Sequence, residues 1–140
     1  MDHDELEHPA AARLLRDFAQ GVLPPAQLGH REHLHLGWLY LRRHADLGAA
    51  AVQFRGDLRR YVAAHGAQGR YHETITWAYL VLLAARQRRW PELDFAAVLA
   101  REPALLDHQR GTLARHYDVA ALHASGPAAA GFLLPGEMTS

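Results

Sequence analysis

The stretch Gly29 to Leu41, GHREHLHLGWLYL, sets three histidines into a run that otherwise reads as a buried helix. At 3.6 residues per turn, His30, Leu34, Trp38 and Leu41 share one face, with His33 and Gly37 beside them. A core face therefore carries two imidazoles. His35 falls well round from that face, near Leu39 and Arg42, and reads as an outer residue. Gly37 asks for a reason of its own, because glycine inside a helix costs about 0.5–1 kcal/mol relative to alanine. Close approach of another helix, which a Cβ would obstruct, supplies one.

Working outward, the same periodicity places a helix from about Ala10 to Ala19 after Pro9, with Leu14, Leu15 and Phe18 inward, and Gly21 ends it. The prolines of Val22-Leu23-Pro24-Pro25 make a stiff connector. The histidine helix runs from about His30 to His44. Asp46 is the expected N-cap of a third helix, Leu47 to about Ala64. A fourth, about Glu73 to Arg89, is apolar on nearly all sides and is expected at the centre. Trp90-Pro91-Glu92 and Pro103 read as starts of two more, and Asp118 as the cap of a short last one to about His123. The acidic residues 1–8 read as a flexible leader and residues 125–140 as a non-periodic tail able to lay Phe132 and Leu133 on the bundle. No run alternates as a strand, and neither a repeat nor a linker divides the chain. The expectation is an all-α fold, a single compact bundle of about six helices with short connections.

Composition narrows the function. In 140 residues, fifteen Lys and Arg balance fifteen Asp and Glu, so no net field favours nucleic acid or a membrane surface. There is no cysteine, which excludes disulfides, thiolate zinc sites and cysteine-ligated Fe–S clusters. A metal would have to be held by nitrogen and oxygen. The start of the chain lacks the basic flank and apolar run of a signal peptide, and a cytoplasmic location is expected. Eleven histidines are the anomaly, since imidazole is the side chain that titrates nearest neutrality.

A second histidine opens the fourth helix, in Arg70-Tyr71-His72-Glu73-Thr74-Ile75-Thr76-Trp77. His30, His33 and His72 are the expected ligands of one transition metal ion, Zn, Cu, Fe or Ni. Three imidazoles with an open fourth position form a catalytic type of site. The spacing His-Arg-Glu-His is not His-Glu-x-x-His, so the zincin mechanism does not transfer. Glu73 is a candidate base or secondary ligand, although a glutamate at a helix start also complements the dipole. Tyr71 is a candidate catalytic or wall residue, Trp77 and Trp38 are candidate cofactor-binding aromatics, and His116 is a reserve ligand. His108 and His123 read as scattered late histidines. The expected partner is a small-molecule ligand or substrate, with a homo-oligomer possible in principle. The function read from this pattern is a small metal-dependent enzyme; the alternative is a non-catalytic metal- or ligand-sensing or accessory module.

Gly-His-x-x-His-Leu ahead of an aromatic helix, here GHREHLHLGW, and the opener YHETIT ahead of WAYL together resemble a group of small, largely uncharacterised bacterial all-helical proteins. The resemblance covers about Gly21 to Trp90, with Leu105-Leu106-Asp107 and the late Phe132-x-x-Pro135. It implies that His30, His33 and His72 belong to one pattern, and it brings no reaction with it.

Overall fold

The computed structural model describes residues 4–138. Eight α-helices follow in order: α1 (Asp4–Glu7), α2 (Pro9–Ala19), α3 (His30–Arg43), α4 (Leu47–Ala64), α5 (Glu73–Arg89), α6 (Phe95–Arg101), α7 (Val119–Ala124) and α8 (Gly126–Ala130). Short 3₁₀ turns link them, and among the described residues there is no strand. The fold is all-α, with eight helices among the described residues where the periodicity suggested about six.

One capping device recurs at the helix starts. Asp46, His72, Asp94, Asp118 and Ser125 each turn a side-chain acceptor back to the amide three residues on, satisfying a donor the helix leaves open. Asp94 fixes the start of α6 at Phe95, later than the Trp90-Pro91-Glu92 signal suggested.

The helix expected from Pro103 does not form. Pro103–Leu106 is a single 3₁₀ turn, and the chain then doubles back so that the Thr112 amide donates to the Ala104 carbonyl (3.0 Å). Glycine is required there: a Cβ on Gly111 would lie 1.9 Å from the Ala104 oxygen. Arg86 and Thr112 both donate to Glu102, each at 2.8 Å, pinning the doubled-back chain to α5.

Within the leader, Asp4–Glu7 forms α1; residues 1–3 lie outside the described residues. Glu5 accepts from the Trp38 indole (3.0 Å) and the Phe95 amide (2.8 Å), which joins α1 to α3 and α6. The tail contains α8, and Thr74 ties the residues after it to α5 by donating to the Gly131 carbonyl and accepting from the Leu133 amide, both at 3.0 Å. Leu133 packs on the core as expected, whereas Phe132 is exposed.

α3 and α5 cross at the centre. Gly37 is buried, and a Cβ placed on it would stand 3.3 Å from Leu80 Cδ2 and 3.4 Å from Leu83 Cδ1, so α5 does approach closely at that residue. Beyond Gly37, α3 is buried on every side through Tyr40. Phe18, Tyr40, Phe54 and Tyr61 form an aromatic cluster at that end, with ring centres 5.2–6.1 Å apart. His35 is not the outer residue its helical phase suggested. It stacks on Phe95 at 4.7 Å with the rings nearly parallel, because α6 covers that side of α3, and burial lowers its pKa. No helix among the described residues is long and apolar enough to cross a membrane.

Candidate functional site

Between the N-terminal halves of α3 and α5 the packing opens into a cavity of about 1080 Å³. Pockets that hold drug-sized ligands run about 300–1,000 Å³, so this one is roomy. His30, His33, His65, His72, His108 and His123 all line it, six of the eleven histidines in the chain. Its floor is apolar, with Leu34, Phe54, Leu58, Ile75, Leu80 and Leu83.

The local sequence explains how the imidazoles arrive there. His30 is the first residue of α3 and His72 the N-cap of α5, so both project where a helix has just begun and its neighbours have not closed in. His108 follows the Pro103 turn, and His123 lies in the last turn of α7. Four of them form a continuous run along one wall. Ring centres are 5.4 Å apart for His30 and His108, 5.1 Å for His108 and His123, and 6.0 Å for His123 and His72. The buried phenol of Tyr79 stands 5.2 Å from the His30 ring centre-to-centre and lies 3.0 Å from His108 Nδ1.

The hydrogen bonds fix what each ring does. His72 Nδ1 accepts from the Ile75 amide (3.1 Å), leaving Nε2–H to donate to the Leu122 carbonyl (2.8 Å). His30 Nε2 donates to the Leu105 carbonyl (3.2 Å). His108 and His123 face one another Nε2 to Nε2 at 2.9 Å. Two lone pairs at that distance repel, so a proton or another cation must lie between them. Among the described residues no three His, Asp or Glu side chains stand in ligand geometry about one point.

His33 differs from these. It retains accessible surface on the cavity, yet the surrounding protein displaces enough bulk water to pull its pKa down to about 4, with the neighbouring His30 charge adding to the fall. The His108 pKa is lowered for the same reasons, burial first and then His30, His123 and His72. At neutral pH both rings are neutral.

The other expected site residues lie elsewhere, apart from Tyr71, which lines the cavity while its phenol donates to Glu73. Burial alone would raise the Glu73 carboxyl, but hydrogen bonds from Tyr71, Arg55 and Trp77 outweigh it and hold the pKa below the usual value. Arg55 Nε sits 2.8 Å from both Glu73 oxygens and the Trp77 indole 2.9 Å from one, so Glu73 is engaged in a structural knot at the start of α5. Neither Trp77 nor Trp38 is on the cavity wall; Trp38 is fully buried against Phe95 and Arg42. His116 is exposed and away from the cavity.

The residues that sequence reasoning passed over are His108, His123 and Tyr79. A signal for His108 was present, because it directly follows the Leu105-Leu106-Asp107 motif. No local signal marks His123, which joins the group through chain reversal.

No protein-family model matches the chain, and no curated protein or solved structure matches it.

Proposed function

We propose that the protein is a small enzyme that takes a small molecule into the histidine-lined cavity and acts on it with a transition metal held by imidazole nitrogens. The run His30, His108, His123 and His72 carries this reading. Imidazoles bound to one metal at about 2.0–2.1 Å place their ring centres roughly 5 Å apart, close to the spacings along this wall. His108 and His123 already turn Nε2 towards a common point, and Tyr79 at His108 Nδ1 is the kind of outer partner that orients a ligating histidine. His30 and His72 would complete the set by rotating off the Leu105 and Leu122 carbonyls. His33, neutral and facing the same space, would contact the ligand. A metal with an open position there would activate water or polarise a substrate oxygen.

Tyr79, His108 and His123 also support a metal-free reading, in which a proton passes along their two hydrogen bonds from the cavity to the exposed His123 ring. The non-catalytic alternative, a ligand sensor, would use the same cavity.

Elemental analysis of untagged protein separates these readings. The expected result is about one equivalent of Zn, Cu, Fe or Ni, released on acidification as the imidazoles protonate. His123→Ala is the cleanest variant, because its ring is exposed; it should lose metal while keeping its helical circular dichroism. His72→Ala should lose metal too, but it also removes the N-cap of α5, a change of about 1 kcal/mol. Protein that stays metal-free after incubation with each of these ions would sink the metal reading and leave the proton relay.

A further inference from the structure

The cavity wall has a polarity that the metal reading does not use. None of the described residues lining it is Asp or Glu; its ionisable groups are six histidines, three tyrosines and one arginine, Arg70, which stands on the turn leading to Tyr71 and His72. Asp107, whose charge is felt at His108, turns its carboxylate to the Arg110 amide (3.0 Å), and Glu32, whose charge is felt at His33, turns its own to the Gly29 amide (3.0 Å). Glu73, next in the chain to His72, is consumed by Arg55, Tyr71 and Trp77.

The positive ends of two helix dipoles open on the same space, α3 at His30 and α5 at His72. The hydrogen bonds that engage His30, His72, His108 and His123 have no counterpart at His33 among the described residues. Opposite these groups lies the apolar floor from Leu34 and Phe54 to Leu80 and Leu83.

We infer that the ligand of this cavity is an amphipathic anion, a small carboxylate with an apolar body. Its head is met by Arg70, His33 and the helix starts, and its body lies on the leucine and phenylalanine floor. A cation would find no carboxylate on the wall itself, the nearby Glu32 and Asp107 being engaged with backbone amides. A wholly apolar molecule would leave the His33 ring and the Arg70 guanidinium desolvated without a partner. The inference rests on the cavity being the site, and it does not depend on a bound metal.

Octanoate, octanol and octylamine share one chain and differ only in the head group, so calorimetric titration with each isolates the polarity of the site. Protein stripped with EDTA and protein loaded with zinc are both titrated. Octanoate is expected to bind at least tenfold more tightly than octanol, with octylamine weakest, in the stripped protein as well as the loaded one. Arg70 is exposed, so Arg70→Gln folds normally; it should weaken octanoate at least threefold and leave octanol unchanged.

Octanol binding as tightly as octanoate, octylamine binding tightest, or no binding of any of the three would each overturn the inference. Failure of the protein to hold any of Zn, Cu, Fe or Ni, together with a retained octanoate preference, would remove the metal reading alone. Zinc uptake without that preference would remove this inference alone.

Discussion

The two ends of α3 use similar residues to opposite effect. At the C-terminal end, aromatic rings pack against one another and the phenols are answered locally, although Arg42 Nε and His44 Nε2 are buried without a hydrogen-bond partner among the described residues. The Tyr40 phenol donates to buried Asp57 (2.5 Å), which also accepts from Gln53 and Arg60, and Tyr61 donates to the Leu23 carbonyl (2.6 Å). At the N-terminal end, His30 and His33 face a cavity of about 1080 Å³, and the rings opposite are further imidazoles. One end is filled by rings, of which Phe54 and Tyr61 also reach the cavity edge, and has little room for a ligand. The other has that room, and it lies where α3 and α5 begin and the covering elements are turns and short helices. Close packing stabilises the first end, and incomplete packing makes the second a site.

The strongest way to break this comparison is to swap the consequences of mutation. Trp38 is fully buried, sits against Phe95 and under the Arg42 guanidinium, and donates to Glu5. Trp38→Ala should cost about 3–5 kcal/mol in urea denaturation, the range for emptying a large core site. Octanoate binding by the folded fraction should survive. His123→Ala should do the reverse, changing stability by less than about 0.5 kcal/mol, as exposed positions do, while removing metal. Should Trp38→Ala abolish binding and His123→Ala unfold the chain, the division between a packed end and a working end is wrong.

That division also explains what the sequence disclosed. Helices α2 to α5 were legible because their signals are local: periodicity, Pro9, Asp46 as N-cap, and the start at Glu73. Close approach at Gly37 could likewise be read from one residue's oddity. His35 was misjudged because helical phase reports which face is shared, whereas α6, arriving from sixty residues away, decided what covered it. The Pro103 segment was misjudged because the Thr112-to-Ala104 bond and the glycine at 111 outweigh a helical apolar pattern. His108 and His123 are brought to His30 and His72 by that reversal; the motif at Leu105 to Asp107 marks His108, but no one-dimensional pattern marks His123.

A smaller effect tests the boundary between the two ends. Gly37 sits where α3 passes from open to packed, and the atoms a Cβ would meet are the flexible tips of Leu80 and Leu83, which also line the cavity floor. Those tips have space into which to move. Gly37→Ala should therefore stay within about 1 kcal/mol of wild type, the gain in helix propensity offsetting a few tenths of an ångström of displacement. It should nevertheless weaken octanoate binding by pushing leucine into the floor. Gly37→Leu exceeds the space and should lose about 1–3 kcal/mol. Strong destabilisation by alanine alone would mean that the leucines are locked, and that the cavity does not extend to this crossing.

The smallest effect sharpens the comparison at a single ring. His33 has a folded pKa of about 4 against 6.5 for a free imidazole. Between those values the unfolded chain binds more protons, so stability rises with pH there; it is fully present above about 6.5 and is lost as pH falls towards 4. His33→Gln, which cannot titrate, should flatten the dependence of the urea midpoint on pH between 6.5 and 4 in EDTA-treated protein, and leave it unchanged above pH 7.5. Part of the slope should persist, because the His35 and His108 pKa values are lowered in the same direction. The flattening should be modest, since the His33 ring keeps accessible surface and water in the cavity screens its charge. An unchanged slope would show that His33 is as well hydrated as in the unfolded chain. The N-terminal end of α3 would then be ordinary surface, and the contrast with the packed end would reduce to the difference between outside and inside.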